Sequence, residues 1–139
     1  GATPLFIAVY KGHNDLAALL LDRGASVDAA RDGATPLFIA AQKGHNDLAA
    51  LLLDRGASVD KADNVGVTPL IIAAYKGHND LATLLLDRGA AVDAAKNDGV
   101  TPLIIAAYKG HNDLATLLLD RGASVDAARN DAVTPLCIA

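Results

Sequence analysis

The sequence has no methionine, no tryptophan and a single cysteine, Cys137. Without a methionine at position 1, Gly1 is not a translation start, and the chain is expected to be a fragment or a processed product of something longer. One cysteine excludes an internal disulfide and any cysteine-rich zinc site. Glutamate is absent too, so the sixteen acidic residues are all aspartate. No apolar run approaches the ~18 residues needed to span a bilayer, so no membrane insertion is expected. Basic excess is also lacking: net charge is −4 and the isoelectric point about 5.4, which argues against a nucleic-acid partner. No charged-then-apolar leader opens the chain, which points to an intracellular, cytoplasmic setting. What is present is apolar: 52% hydrophobic against 20% charged, with mean hydropathy +0.27. That balance excludes intrinsic disorder, and 139 residues suffice for one compact domain or a short repeat array.

So narrow a vocabulary suggests one unit copied several times, and the copies are legible. Thr-Pro-Leu recurs at Thr3, Thr35, Thr68, Thr101 and Thr134, at intervals of 32, 33, 33 and 33 residues. Lys-Gly-His-Asn-Asp-Leu-Ala keeps the same beat from Lys11, Lys43, Lys76 and Lys109, and Leu-Leu-Leu-Asp-Arg-Gly-Ala from Leu19, Leu51, Leu84 and Leu117. A period of this length marks a stacked solenoid. The units are 3–34, 35–67, 68–100 and 101–133, with a partial fifth at 134–139, in one array covering 1–139. The third and fourth differ only at Ala91/Ser124, Lys96/Arg129 and Gly99/Ala132, which has two readings, recent duplication or design; the shortened first finger and Ala132 in place of glycine favour duplication.

One unit shows why the copies must stack. Thr68 is a good N-cap, and Pro69 stands at the first helical position, where its missing N–H is harmless. Leu70, Ile71, Ala73 and Ala74 form an apolar body, and Gly77 fits the left-handed position past the helix end. A second helix starts near His78-Asn79-Asp80, with Asp80 favoured by the helix dipole. Leu81, Leu84, Leu85 and Leu86 supply its core, Arg88 lies in its last turn, and Gly89 ends it. Asn97-Asp98-Gly99 then has the chemistry of a hairpin-like turn. Helices of about 8–10 residues are marginal alone, since ~12–15 are needed even with good formers. Three consecutive leucines cover more than one helix face, so neighbouring units must bury them.

The unit resembles an ankyrin repeat, over essentially the whole chain: Thr-Pro-Leu at a helix start, Gly-His between two helices, a leucine-rich second helix, then Gly-Ala and Val-Asp where the family usually has Val-Asn. The resemblance implies an all-α, ankyrin-like solenoid of helix-loop-helix repeats with projecting hairpin fingers. The fingers and first helices would form a concave binding face. Some positions depart from the family pattern. Phe6, Phe38, Ile71, Ile104 and Cys137 replace its usual histidine, so apolar packing is expected where a polar inter-repeat link would be. Ala17, Ala49, Ala82 and Ala115 stand where valine is frequent, a difference of ~1–2 kcal/mol per repeat before relaxation. The first finger, Arg31-Asp32-Gly33, is one residue short of Lys96-Asn97-Asp98-Gly99, so its tip should be reshaped. Ala132 replaces the finger glycine and is expected to be strained by about 1 kcal/mol if that site has positive φ.

Catalysis finds no support in the residues. His13, His45, His78 and His111 lie one repeat apart; stacked helices are ~8–10 Å apart, whereas zinc needs all its donors at about 2.0–2.1 Å. They read instead as linker histidines bonded to nearby backbone. His-Asn-Asp lacks a nucleophile, and its members are sequence neighbours rather than convergent groups. The glycines form no phosphate-binding fingerprint, the aspartates follow no calcium-loop spacing, and Cys137 reads as a core residue. No enzyme, metal site or cofactor is expected.

Surface remains. Tyr10-Lys11, Gln42-Lys43, Tyr75-Lys76 and Tyr108-Lys109 precede each Gly-His and should align into a Tyr/Lys stripe favouring an acidic protein partner. The finger tips Asp32, Asn64, Val65, Asn97, Asp98, Asn130 and Asp131 form a second candidate set, although turn propensity alone accounts for them. The expected function is a non-catalytic protein–protein interaction module presenting a concave face. The alternative is a structural spacer or subunit that meets its neighbours through ends lacking polar capping repeats.

Overall fold

The computed structural model describes residues 1–126, which form eight α-helices in four pairs. The first helices are α1 (Pro4–Lys11), α3 (Pro36–Lys43), α5 (Pro69–Lys76) and α7 (Pro102–Lys109). The second helices are α2 (Asn14–Asp22), α4 (Asn46–Asp54), α6 (Asn79–Asp87) and α8 (Asn112–Asp120). Within a pair the helices pack together, and each helix also touches its counterpart in the next pair, giving two parallel layers. The first-helix layer makes the more extensive contacts along the stack. Its facing residues explain this: Ala40, Ala41, Ala73, Ala74 and Ala106 have no accessible surface, and small side chains let backbones approach.

Local chemistry sets every helix boundary. The hydroxyls of Thr3, Thr35, Thr68 and Thr101 accept from the N–H groups of Phe6, Phe38, Ile71 and Ile104 at 3.1–3.2 Å. Each first helix ends on a glycine in the left-handed region, such as Gly44 at φ 73°, and the next N–H turns back, as His45 N to Ala40 O at 2.9 Å. The second helices also close on a reversed bond, Ala57 N to Leu52 O at 2.9 Å. One expectation shifts here. Arg88 is the residue after α6 rather than part of its last turn, and its guanidinium reaches a neighbouring unit.

The core runs through all four pairs as one spine. In the leucine triplets the middle residue carries the burial: Leu52, Leu85 and Leu118 are wholly inaccessible, while their flanking leucines are mostly half-buried. Phe6, Phe38, Ile71 and Ile104 are buried, so apolar packing does fill the position after Thr-Pro-Leu. Ala17, Ala49 and Ala82 are fully enclosed. The first pair differs from the inner ones, because among the described residues no unit covers its outer side. Leu16 is 45% exposed where Leu48 is 1%, and Ile7 is 50% exposed where Ile39 is 6%.

The connections project as hydrogen-bonded turns. In the short first finger, Arg31 and Ala34 exchange both backbone bonds at 2.9 Å around Asp32 (φ 53°) and Gly33 (φ 84°). Two successive positive φ values are what a two-residue hairpin turn of the primed type requires. The next two fingers close over one more residue, Asp63 N to Val67 O and Lys96 N to Val100 O, each at 3.0 Å. The shorter finger is thus reshaped into a tighter turn. The partial fifth unit, Asn130, Asp131, Ala132 and Cys137 lie outside the described residues.

Candidate binding surface

The chain's repeated charges divide into two populations, one joining units and one facing outward. At the ends of the second helices, Arg55 pairs with Asp22 at 2.7 Å, Arg88 with Asp54 at 2.8 Å and Arg121 with Asp87 at 2.8 Å. Each arginine therefore holds the unit before its own. The aspartate of Val-Asp works in the opposite direction along the chain. Asp28 accepts from the N–H and hydroxyl of Ser58, Asp60 from the N–H of Ala91, and Asp93 from the N–H of Ser124, at 2.9–3.3 Å. A charged acceptor suits this place, because it satisfies a neighbouring backbone donor that would otherwise need water.

The linker histidine His78 bonds to backbone, but to that of the neighbouring unit. His78 Nε2 lies 3.3 Å from the carbonyl oxygen of Gln42, which can only accept, so the ring nitrogen donates. A Cβ at Gly44 would stand 2.9 Å from the His78 ring, one at Gly12 3.3 Å from His45, and one at Gly77 3.0 Å from His111. Gly12, Gly44 and Gly77 thus serve twice, as left-handed caps and as the floor for the next unit's imidazole. Among the described residues no group of histidine, cysteine and aspartate could hold a metal ion. The depressions between successive linkers are polar, lined for instance by Gly44, Asn46, Gly77, His78, Asn79 and Asp80.

The outward population is the Tyr/Lys set. Tyr10-Lys11, Gln42-Lys43, Tyr75-Lys76 and Tyr108-Lys109 are the last two residues of α1, α3, α5 and α7. All four lysines are exposed, and Tyr10, Tyr75 and Tyr108 keep 44–64% of their surface accessible. The rows align across units: Lys43 Nζ sits 4.3 Å from the centroid of the Tyr10 ring, and Lys109 Nζ 4.1 Å from that of Tyr75. Within a unit the separations are longer, 5.9 Å for Lys11 over Tyr10 and 5.8 Å for Lys76 over Tyr75. Gln42 interrupts the ladder, since it offers Lys76 no ring from the unit before. Among the described residues none of these four lysines forms an ion pair.

The same architecture appears in the family comparison. A family model described as ankyrin repeats (3 copies) matches residues 1–63 and 56–131. The chain belongs to the ankyrin-repeat family. No curated protein matches it significantly. Ankyrin repeats are in general protein–protein interaction modules, and the family is typically non-enzymatic. Among the described residues no helix is long and apolar enough to cross a membrane.

The finger tips are more self-contained than the Tyr/Lys rows of these ankyrin repeats. Asp63 accepts from the N–H groups of Val65 and Val67, and Asp98 from that of Val100. Asp32 pairs with Arg31 at 4.0 Å and Asp98 with Lys96 at 3.5 Å. Asn64 backs onto Gly33 of the preceding finger, and the N–H of Asn97 donates to Val65 O at 3.1 Å. Val65 is an exposed apolar side chain at 56%. The Asp–Arg ladder and the histidine–glycine contacts were not anticipated as inter-repeat links. Adjacent Asp-Arg once per period was the available signal, because opposite charges at one height on successive units are placed to meet.

Proposed function

We propose that this chain is a non-catalytic recognition module whose first-helix face binds a protein partner through the Tyr/Lys row, with the finger tips as a secondary contact. The observation that carries this is a division of labour among cations. Arg55, Arg88 and Arg121 hold neighbouring units together, whereas Lys11, Lys43, Lys76 and Lys109 stand exposed beside exposed tyrosines. Tyrosine offers large amphipathic contact area at little entropic loss, and a row of cations selects acidic partners and accelerates their encounter. Rigid stacking supplies the mechanism: the row is ordered before binding, so association forfeits little conformational entropy. The test is affinity capture of partners by the wild-type chain and by a Lys43→Glu/Lys76→Glu/Lys109→Glu variant. Partners should be lost from the variant, with contact sites cross-linked to the first helices. Equal capture by both removes the lysine row as the site.

A second reading, a spacer joined end to end, draws on one observation: Ile7, Leu16 and Leu19 are 45–50% exposed on the outer side of the first pair. Apolar surface that inner units bury invites another unit or another copy. Light scattering should then show mass rising with concentration. A strictly monomeric chain would remove this role.

A further inference from the structure

The short first finger leaves exposed a pair of residues that a longer finger protects. Asp-Gly occurs twice in the chain, at Asp32-Gly33 and at Asp98-Gly99. In this dipeptide the aspartate side chain closes readily on the next backbone nitrogen, because glycine has no Cβ to obstruct the approach. Closure needs an accessible carboxyl group, an N–H that no acceptor holds, and a chain that opens locally to bring the two together. In the third finger the pair is held. Gly99 N donates to Lys96 O at 2.8 Å. The Asp98 carboxylate accepts from the N–H of Val100 at 3.1 Å and lies 3.5 Å from Lys96 Nζ, with its side chain 45% exposed.

The second finger makes the same closing bond, Gly66 N to Asp63 O at 3.1 Å. In the first finger the missing residue moves that bond along the chain: Ala34 N, not Gly33 N, donates to Arg31 O. Among the described residues no acceptor takes the N–H of Gly33. The Asp32 side chain is 93% exposed, and its polar contact is a 4.0 Å approach to the adjacent Arg31. Among the described residues Asp32 is also the one non-glycine with positive φ. An L-residue is disfavoured in that region, which eases the local opening that closure requires.

We infer that Asp32-Gly33 is a site of spontaneous covalent modification, closing to a cyclic imide that reopens to isoaspartate, while the fold protects Asp98-Gly99. Closure forms the bond between Gly33 N and Asp32 Cγ and expels one water, made of the carboxyl hydroxyl and the amide hydrogen. Water then adds to either carbonyl of the imide. Attack at Cγ returns aspartate. Attack at the backbone carbonyl breaks its bond to Gly33 N, routes the chain through Cβ and Cγ, and frees the α-carboxylate. Nothing is oxidised or reduced. The added backbone carbon is incompatible with the tight turn, which depends on two successive positive φ values. Arg31 and Ala34 then lose their exchanged bonds. Gly33 also leaves its close seat on the next finger, where a Cβ would stand 2.7 Å from Asn64 Cγ.

Residue-resolved peptide mapping of the folded chain, aged in heavy-oxygen water near neutral pH, tests this. Each imide that reopens takes up one heavy oxygen whichever carbonyl is attacked, so the label counts closures. Methyl transfer from S-adenosylmethionine by an isoaspartyl methyltransferase counts the freed α-carboxylates independently. Asp32 should gain both signals roughly tenfold faster than Asp98, where two hydrogen bonds must break first. In urea, with both fingers unfolded, the two rates should converge. Inserting one asparagine between Arg31 and Asp32 gives the first finger the length of the third and should slow Asp32 to the Asp98 rate. Equal labelling of the two sites in the folded chain, or a difference that persists in urea, overturns the inference. So does an insertion variant of unchanged far-ultraviolet circular dichroism whose Asp32 closes as fast as in the wild type.

Discussion

Replacing Gly44 by alanine should destabilise the protein by about 2–3 kcal/mol, and roughly 1 kcal/mol of that should vanish when His78 is removed as well. Two independent effects set the figure. Gly44 has φ 73°, and an L-residue in the left-handed region is disfavoured by about 1–2 kcal/mol. The new methyl carbon would also stand 2.9 Å from His78 Cε1 and 3.1 Å from both ring nitrogens. The imidazole must move, and its Nε2 bond to Gln42 O, 3.3 Å long, is lost at a typical net value of about 0.5–1.5 kcal/mol. Gly110 offers a matched control: its φ is 72°, yet among the described residues nothing lies within 4 Å of a Cβ there. Gly110→Ala should therefore show the backbone effect alone. Urea unfolding followed by circular dichroism on Gly44→Ala, His78→Ala, the double variant and Gly110→Ala measures all terms. Additivity of Gly44→Ala and His78→Ala within about 0.3 kcal/mol would refute the histidine contact as an inter-repeat link.

Leu48→Ala should destabilise by about 2–5 kcal/mol and Leu16→Ala by less than about 1 kcal/mol, although both occupy the same place in the unit, because Leu48 is 1% exposed and Leu16 45%. Equal losses in thermal or urea unfolding would mean that the first pair is covered in solution. Thr35→Ala should lose about 1–2 kcal/mol by freeing the buried Phe38 N–H, and Thr35→Ser should restore most of it; a serine variant as unstable as the alanine one would assign the loss to packing. A double-mutant cycle on Asp54 and Arg88, whose side chains are 61% and 38% exposed, should give a coupling of only about 0.2–1 kcal/mol that shrinks in high salt. A larger, salt-insensitive coupling would place the pair in a dry environment.

Local chemistry made much of the fold legible. Thr-Pro at a helix start and glycine at its end act within three or four residues, so the bounds of α5 follow from Thr68, Pro69 and Gly77 alone. The contacts that hold unit to unit were harder to see. Asp22 and Arg55 are thirty-three positions apart and each sits beside an oppositely charged neighbour, so sequence leaves their true partners open; the Asp22–Arg55 distance of 2.7 Å settles them. The same holds at His78, which reads equally well as a bond to its own linker, whereas the ring reaches back to Gln42.

The candidate surface divides along the same line. The order of residues alone determined that Lys recurs once per period at a helix end, preceded by Tyr in three of the four units, because periodicity and capping are properties of short stretches. Only the stacked structure decided that Lys43 covers the ring of Tyr10 rather than its own unit's Gln42, that Arg55 faces Asp22 while Lys43, among the described residues, forms no ion pair, and that Leu16 and Leu48, alike in sequence, differ in burial. Those outcomes depend on which unit lies above and which below. A repeat carries the same local instructions in every copy, and it is the presence or absence of a neighbour that gives each copy its environment.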